Sequence, residues 1–480
     1  MRKSLPVLAA PVIALLPVSA AVADGGERSR LSGDSPFSGC APGALDAEKA
    51  DGAIEPTLAA DPSDPRRIAA VWPQDHHRGV VAAVTRDGGR TWKRSVVRGL
   101  TRCSGGRYDY VDDPMATFTR DGGLVVTAGV DMADGSASAA LSVRSDDGRA
   151  WTRPSVILEE PDPRQGVVAA GQAVPDPRDP DVLYVVGPRF PAEARTRNQG
   201  WISRSTDGGR TWTPPRIVVE PAEGSMATGH RLTVLGDGTL LDLHTHIRFR
   251  GGPGLSEYSL QAVRSTDGGA TWSAPRKIAD MRSRITIQDP ETGDHVSHTT
   301  SLLSDTAIDP RTGRLYAVWQ DARFGGGAAD GVALTSSGDG GRTWTEPIKV
   351  NRTPTTIPAG DQQAFTVSAA VGRDGTLAVS YSDFRHNGPG TPLLTDRWLA
   401  RCRPVPGVPC TGPTAKWREN RLTTRSFDMR RAPRIPDASS PRGFFVGEQM
   451  GLVATGHGFT STWSAPDAPA CAAAHVRTTP

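Results

Sequence analysis

The sequence predicts an all-β fold built from repeated four-stranded antiparallel units. An eight-residue polar turn, Ser205–Trp212 (STDGGRTW), recurs nearly intact along most of the chain. Its five copies end at Trp92, Trp151, Trp212, Trp272 and Trp344, so the successive spacings are 59, 61, 60 and 72 residues. A nearly fixed period is typical of repeat architectures. The 53 glycines and 40 prolines favour short strands joined by turns over long helices.

The recurring turn suits a tight hairpin. Asp207 can accept hydrogen bonds from backbone N–H groups that follow it, and the two glycines adopt positive φ without steric cost. Trp212 then buries a large ring beside the next strand. Because the motif occurs five times whereas an active site occurs once, we interpret its residues as structural.

Strand-like runs surround each copy of the turn in a constant order. Four runs begin at residue 54 and end at residue 97, and the pattern starts again near residues 114, 167, 231 and 305. Four antiparallel strands per period form the blade of a β-propeller. A sixth unit starts at residue 365 and a seventh at residue 443, and the last is either incomplete or completed by the N-terminal segment. We favour seven blades; six blades with an appended hairpin is the alternative.

The turn resembles the Asp-box, also called the bacterial neuraminidase repeat, which occurs in sialidases and other β-propellers. This resemblance implies a sialidase-like propeller over nearly the whole chain. It also implies a glycoside hydrolase that holds an acidic sugar with three arginines. The family usually shows an Arg-Ile-Pro motif before its first Asp-box, and none precedes Thr85 here. Arg434–Pro436 has those residues, but it lies far downstream of the fifth turn.

The first 23 residues have the pattern of a signal peptide. Arg2 and Lys3 precede an apolar stretch, and Ala21–Ala23 supplies small residues for cleavage. The stretch is too short and proline-rich to span a bilayer. We therefore expect a secreted monomer without membrane insertion, with an extended or disordered lead-in over 24–52 and the propeller over 53–480. The net charge of +3, without a basic tract containing aromatic residues, argues against nucleic-acid binding.

Five cysteines fit an exported protein, in which disulfides are permitted. Cys402 and Cys410 are close in sequence, across a loop that replaces the turn in the sixth unit, and we predict that they pair. Cys40 with Cys103 is the second expected pair and would leave Cys471 over. The alternative, Cys40 with Cys471, would close the ring of blades.

Charged residues at the starts of the first strands are the main candidates for a site. Four of them, Glu55, Asp113, Arg231 and Asp305, precede turn aspartates by six, eight, six and four residues. All offsets are even, so the four side chains share one face of their strands and could converge at the mouth of the channel. The alternative is a set of solvated or paired charges at strand ends.

Two further arginines follow second strands, in Trp319–Arg323 and Tyr381–Arg385. Each lies two residues after an aspartate, on the same side of an extended segment. They could grip a substrate carboxylate or could brace a loop as local ion pairs. The predicted catalytic set is therefore Glu55, Asp113, Arg231, Arg323 and Arg385, with Glu55 or Asp113 as the acid/base. Tyr381 could act as a nucleophile but suits packing better.

The histidine groups at 76–77, 244–246 and 295–298 are interpreted as surface-loop residues, and we predict no metal and no cofactor. The leading functional hypothesis is an exported sialidase-like glycoside hydrolase that acts on terminal acidic sugars. A non-catalytic propeller that binds glycan or protein is the second hypothesis. Hydrolysis of a neutral polysaccharide by two carboxylates is the third.

Overall fold

The computed structural model describes residues 21–22, 29–40, 52–75, 77–162, 166–190, 198–250, 256–283, 287–296, 302–390, 392–405, 408–435, 443–456, 458–468 and 471–479. Apart from Ala21–Val22, the predicted signal peptide lies outside the described residues. Over these ranges the chain forms β-strands and short 3-10 helices, without an α-helix. No helix in this part of the chain is long and apolar enough to cross a membrane.

Four sheets form from the first half of the chain. Sheet 1 contains Thr57–Ala60, Ile68–Gln74, Gly79–Thr85 and Thr91–Val97, with Ala21–Val22 at its outer edge. Sheet 2 contains Tyr110–Phe118, Leu124–Asp131, Ser138–Ser145 and Ser155–Glu160. Sheet 3 contains Val167–Val168, Ala173–Pro175, Leu183–Phe190, Gln199–Ser205 and Arg216–Val219. Sheet 4 contains Ser225–Val234, Leu240–Arg248, Glu257–Ser265 and Arg276–Met281.

The second half adds four more sheets. Sheet 5 contains Ser304–Ile308, Leu315–Asp321, Gly331–Ser337 and Ile348–Lys349. Sheet 6 contains Ala364–Val371, Leu377–Asp383, Leu394–Cys402, Trp417–Arg421 and Phe427–Asp428. Sheet 7 contains Leu452–Thr455, Gly458–Ala468, Cys471–Thr479 and Ser29–Arg30. A small sheet 8 contains Ile287–Gln288, His295–Val296, Gly443–Phe444 and Arg434–Ile435. The 3-10 helices are Arg102–Ser104, Ala322–Gly325, Ala359–Gln362 and Met429–Arg431.

The fold is a β-propeller, as the sequence predicts. The innermost strands of sheets 1 to 7 contact one another in cyclic order, and the innermost strand of sheet 7 contacts that of sheet 1. Sheet 8 stands outside this order, and the number of blades stays a prediction. Each sheet is covered by neighbours on both faces, so whole strands such as Ile68–Gln74 and Gly79–Thr85 are buried.

The N-terminal segment joins the last sheet. Ser29–Arg30 pairs with the strand Cys471–Thr479, so the chain's two ends meet in sheet 7. A disulfide between Cys40 and Cys103 ties this segment to sheet 1, and Cys402 is joined to Cys410. Both favoured cysteine pairs are therefore confirmed.

The recurring turn connects the third and fourth strands of its sheet, on the outer side of the ring. Asp207 Oδ1 accepts hydrogen bonds from the backbone N–H groups of Arg210 (3.0 Å) and Thr211 (2.9 Å). The hydroxyls of Ser205 and Thr211 also donate to its carboxylate. Burial would raise the pKa of Asp207, but these hydrogen bonds, led by Thr211, outweigh it and lower the pKa. The turn is thus held by one ionised carboxylate.

The tryptophans that close the turns differ in burial. Trp92 is buried, whereas Trp151, Trp212, Trp272 and Trp344 are half-buried. Trp212 Nε1 donates to Ser142 Oγ of sheet 2 over 2.8 Å, and Trp151 Nε1 donates to Ser95 Oγ of sheet 1. These two indoles therefore link each sheet to the one before it.

Replacing Asp207 by alanine is expected to lower the free energy of unfolding by about 1–3 kcal/mol, because several donors lose a charged acceptor. Asp181→Ala is a matched control at an exposed aspartate of the neighbouring turn, and it should change the free energy by less than about 0.5 kcal/mol. Urea unfolding of both variants measures the difference. Equal midpoints would contradict a structural role for the turn carboxylate.

Candidate functional site

Four innermost strands share a bulge near the mouth of the channel. Its central residue has positive φ in each case: Glu55 (52°), Asp113 (47°), Gly229 (63°) and Thr366 (50°). The strand pairing shifts at the last three of these positions. It also shifts by one residue across Glu55, between the Ala53–Gln74 bridge and the Thr57–Val71 pair. Left-handed backbone in a non-glycine residue costs on the order of 1–3 kcal/mol and is concentrated at functional sites. At these bulges, two of the three non-glycine residues with this strained backbone carry carboxylates, which makes this end of the ring the candidate site.

Glu55 and Asp113 are each followed by proline. Proline has no N–H group, so the bulge at these two positions leaves one backbone donor fewer to satisfy. The bulge also breaks the strand alternation, which lets neighbouring residues such as Asp112 and Asp113 lie near the same mouth. The local sequence therefore explains how acidic side chains collect there.

The Glu55 side chain is almost completely buried, at 4% exposure. Its Oε1 accepts a hydrogen bond from the Glu448 N–H over 2.9 Å. Gly447 leaves room for it, since a Cβ at that position would lie 2.2 Å from Glu55 Cγ. Burial, followed by the charge of Asp113, raises the pKa of Glu55 to about 8. At neutral pH Glu55 is therefore mostly a carboxylic acid that can donate a proton.

A chain of polar contacts runs from Asp113 across the mouth. Gln449 Nε2 donates to Asp113 Oδ1 (2.8 Å), and Arg231 Nη2 donates to Gln449 Oε1 (2.9 Å). Arg231 Nε lies 3.8 Å from Asp305 Oδ1. Burial is the largest cause that raises the pKa values of Asp113 and Asp305, and Arg231 partly opposes it. The structure thus brings Glu55, Asp113, Arg231 and Asp305 into one group, although the bulge at Asp113 interrupts the alternation from which this convergence was predicted.

A histidine and two further carboxylates adjoin this group. His77 Nδ1 lies 2.7 Å from Asp112 Oδ1 and 2.9 Å from the Val111 carbonyl oxygen. Burial would lower the pKa of His77, but the Asp112 carboxylate outweighs it and raises the pKa to about 9. Burial and the charge of Asp112 raise the pKa of Asp131 to about 7. The mouth therefore carries more carboxyl groups than cations.

Two cavities follow the innermost strands through the ring. One has a volume of about 230 Å³ and the other about 460 Å³, and both are lined by Gln172, Arg231 and Asp305. The smaller is also lined by Glu448 and Gln449, next to Glu55 and Asp113. A separate cleft of about 800 Å³ runs along the outer strands of sheet 4 and shares no lining residue with the channel. A ligand in the channel would meet Arg231 first among the cations described.

Known proteins resemble this chain in part. No protein-family model matches it. A xyloglucanase of Paenibacillus sp is 29% identical over 213 residues, which covers 43% of this chain and 18% of that protein. The chain thus spans about a fifth of the length of this curated relative.

Several solved structures match this chain at low identity. The alpha-L-arabinofuranosidase of Fusarium graminearum has a TM-score of 0.48 and 12% identity, with 76% of this chain and 93% of that chain covered. A Hadza microbial sialidase has a TM-score of 0.46 and 16% identity, with 69% and 63% covered. The alpha-L-arabinanase of Penicillium chrysogenum has a TM-score of 0.47 and 16% identity, with 74% and 93% covered. Similarities at this level assign no activity to the present chain.

The other two predicted arginines lie in separate contacts. Arg323 forms an ion pair with Asp321 (2.9 Å) and donates to the Asp280 carbonyl oxygen. Arg385 pairs with Asp383 and Glu419 and lies 3.7 Å above the Trp398 ring. No described contact joins either arginine to Arg231. Each of these two arginines is ion-paired with the aspartate two residues before it, as the loop-bracing alternative describes, and the arginine triad of the sialidase hypothesis stays a prediction.

Tyr381 also lies within the Arg385 network. Its side chain is fully buried, and its hydroxyl donates to Glu419 Oε1. Burial and the charge of Glu419 raise the pKa of Tyr381 well above its ordinary value. The complete burial of Tyr381 fits the packing interpretation.

Sequence reasoning missed Asp112, Gln449 and the role of His77. Asp112 directly precedes the predicted site residue Asp113, so strand alternation predicts that its side chain lies on the opposite face. The bulge is what brings both to the mouth. Gln449 follows Glu448, which stands at the start of the last sheet, and an uncharged amide gave no signal of its own.

The surface-loop prediction is wrong for His244, His246 and His295, all of which lie in strands. His244 is completely buried in the second strand of sheet 4. It lies with His230 and Asp242 in a group whose potential ligand atoms are all within 4.8 Å of one another. His76 and His298 lie outside the described residues.

Proposed function

We propose that this chain is a propeller-type glycoside hydrolase whose proton donor is Glu55 and whose second carboxylate is Asp113. The observation that carries the proposal is a buried carboxyl group with a pKa of about 8, held in strained backbone beside a second carboxyl group at the mouth of the channel. Glycoside hydrolysis by carboxylates requires two such groups in different protonation states.

In the proposed reaction Glu55 gives its proton to the glycosidic oxygen as the bond from that oxygen to the anomeric carbon breaks. Asp113, as the carboxylate, either takes a proton from the attacking water or bonds to the anomeric carbon before water releases the sugar. The separation of the two carboxyl groups in a substrate complex distinguishes these routes. Arg231, Gln449 and Asp305 offer hydrogen-bonding groups for sugar hydroxyls.

Charge at the mouth favours a neutral sugar as the substrate. Asp112, Asp113, Asp131 and Asp305 surround the site, against the cations Arg231 and His77. A terminal acidic sugar, which the sialidase hypothesis requires, would be held by Arg231 alone and would face these carboxylates. Neutral substrates are therefore the first candidates, and terminal acidic sugars the second.

The test is turnover by the purified full-length protein on a matched panel: arabinan, xyloglucan, and fluorogenic arabinofuranoside and sialoside. We expect release of reducing sugar or fluorophore from one neutral substrate and none from the sialoside. Arg231→Ala should raise KM for that substrate. Binding without turnover would identify a non-catalytic glycan-binding propeller, and neither binding nor turnover across the panel would overturn the glycan proposal.

The pH profile of kcat/KM should be bell-shaped, because Glu55 must be protonated and Asp113 ionised. Activity should fall above about pH 8, where Glu55 loses its proton. The acidic limb should lie above the ordinary range of an aspartate, since burial raises the pKa of Asp113. A rate that stays constant between pH 7 and 10 would exclude Glu55 as the proton donor.

We also propose that the protein is exported from the cell. The signal-peptide pattern in the sequence and the disulfides Cys40–Cys103 and Cys402–Cys410 support an extracellular location. We also propose that the protein acts as a monomer. Mass measurement of the secreted protein checks both the cleavage site near residue 23 and the two disulfides.

A further inference from the structure

Sheet 4 contains a buried group of two histidines and one aspartate beside the channel. His230 Nδ1 lies 2.8 Å from Asp242 Oδ2, and His244 Nδ1 lies 3.2 Å from the same oxygen. The two imidazole centroids are 5.3 Å apart. All three side chains have at most 1% exposure. Asp242 and His244 are two residues apart on one strand, so both side chains project from the same face. The bulge of the neighbouring strand brings His230 to them.

Hydrogen bonds within the group leave three buried polar atoms without a partner. His230 Nε2, His244 Nε2 and Asp242 Oδ1 are inaccessible to solvent and have no hydrogen-bond partner among the residues that the structure describes. Both imidazole contacts fall on one carboxylate oxygen, so the other oxygen accepts no hydrogen bond from the described residues. Such groups are rare in folded proteins, and each requires an explanation such as an ion or a buried water.

The neighbouring sheet leaves room for the histidines. Gly200 in sheet 3 lies against His230, and a Cβ there would be 2.5 Å from its Cε1 and 2.9 Å from its Nε2. A glycine is therefore needed at this position for the ring to fit between the sheets. His230 also lies among the residues that line the larger of the two channel cavities.

We propose that His230, Asp242 and His244 bind a divalent transition-metal ion of the zinc class. Two imidazoles and one carboxylate are a donor set that zinc uses, and hard cations such as calcium prefer oxygen ligands alone. One potential ligand atom from each of the three side chains lies within 4.8 Å of the other two, comparable with the roughly 3–4 Å that separates ligand atoms about 2.0–2.2 Å from one zinc ion. The carboxylate balances part of the ion's charge.

The site would act on the channel through His230. Arg231 is the next residue, and its Nη1 donates to the His230 carbonyl oxygen over 3.4 Å. An ion that joins His230 to the second strand would fix the bulge and hold Arg231 towards the mouth. The metal site is independent of the glycosidase proposal, since its ligands do not touch the channel carboxylates.

The experiment measures zinc in the full-length protein, both as purified from zinc-supplemented medium and after refolding with and without Zn²⁺. We expect about one zinc per chain and a Tm that rises with zinc concentration. His244→Gln should lose more than about 100-fold in zinc affinity, since even outer-shell changes cost 10–100-fold. His246→Gln is the matched control, a half-buried histidine outside the group, and should bind zinc as the native chain does.

Cobalt substitution of the native chain keeps the test independent of how the variants fold. Bound Co²⁺ should give visible absorption bands of a four-coordinate site, and X-ray absorption should show imidazole scattering. Substoichiometric zinc, below about a tenth per chain under both conditions, together with no cobalt spectrum, would overturn the proposal and leave a hydrogen-bonded buried cluster. Zinc retained at full affinity by His244→Gln would also overturn it.

Discussion

Replacing Glu55 by glutamine is expected to lower kcat on the best substrate of the panel by about a hundred- to ten-thousand-fold, the range that a positioned general acid contributes. Glutamine keeps the size of the side chain and can still accept the hydrogen bond from the Glu448 N–H, but it has no proton to give the leaving oxygen. KM should change little, because the amide fits the same space beside Gly447. Steady-state kinetics at pH 6 to 7 measures both values.

Glu160→Gln provides the matched control for this variant. Glu160 is another buried glutamate, paired with Arg189 at the end of the last strand of sheet 2, and it takes no part in the described mouth contacts. Its replacement should lower stability while leaving kcat unchanged. If Glu55→Gln retained native kcat, or if both variants lost activity equally, Glu55 would be a structural residue.

The effect of Glu55→Gln on the free energy of unfolding depends on pH. The folded-state pKa of Glu55 is raised from 4.5 to about 8 by burial and by Asp113. Below pH 4.5 the carboxyl is protonated in both states, so its contribution to stability is fully present there. That contribution is lost as the pH rises through 8, where ionisation of a buried group costs on the order of a few kcal/mol. Glu55→Gln should therefore be more stable than the native chain at pH 9.

The propeller could be predicted because its strongest signals are local. The turn at Asp207 is held by hydrogen bonds between residues at most four positions apart, so its sequence alone predicts its conformation. Each copy of the turn also shows where a third strand ends. The convergence of Glu55, Asp113, Arg231 and Asp305 could also be predicted, since equivalent strands of a repeat start at the same height. Their roles as catalytic or binding residues stay a prediction.

Other parts of the site depend on contacts that the sequence does not reveal. Strand alternation predicts which side of the chain Arg323 and Arg385 lie on. It does not predict that they form ion pairs with Asp321 and Asp383. The bulge at Asp113 adds Asp112 to the mouth against the alternation rule. In sheet 4 a similar bulge joins His230 to His244, although fourteen positions separate them in sequence. Bulges are set by pairing between strands, so single-strand patterns miss them.

Trp319→Ala is expected to lower the free energy of unfolding by about 3–5 kcal/mol, the usual cost of removing a large buried aromatic side chain. Trp319 is completely buried and belongs to the same hydrophobic cluster as Leu241 and Leu243 of sheet 4. Its Nε1 also donates to Asp321 Oδ2 over 2.8 Å. The substitution therefore leaves a cavity between two sheets and removes one donor from a buried carboxylate. Urea unfolding at pH 7 measures the loss.

Trp344→Ala in the same sheet is the comparison that locates this stability. Trp344 is half-buried, closes the recurring turn and donates to the Gly341 carbonyl oxygen over 3.2 Å. Its removal should cost about 1 kcal/mol, close to the centre of the range for single substitutions. A larger loss at Trp319 means that contact between sheets, not the turn tryptophan, holds the ring together. Equal losses would mean that the conspicuous repeated residue contributes as much as the buried one, and packing between sheets 4 and 5 would then be weaker than the burial of Trp319 implies.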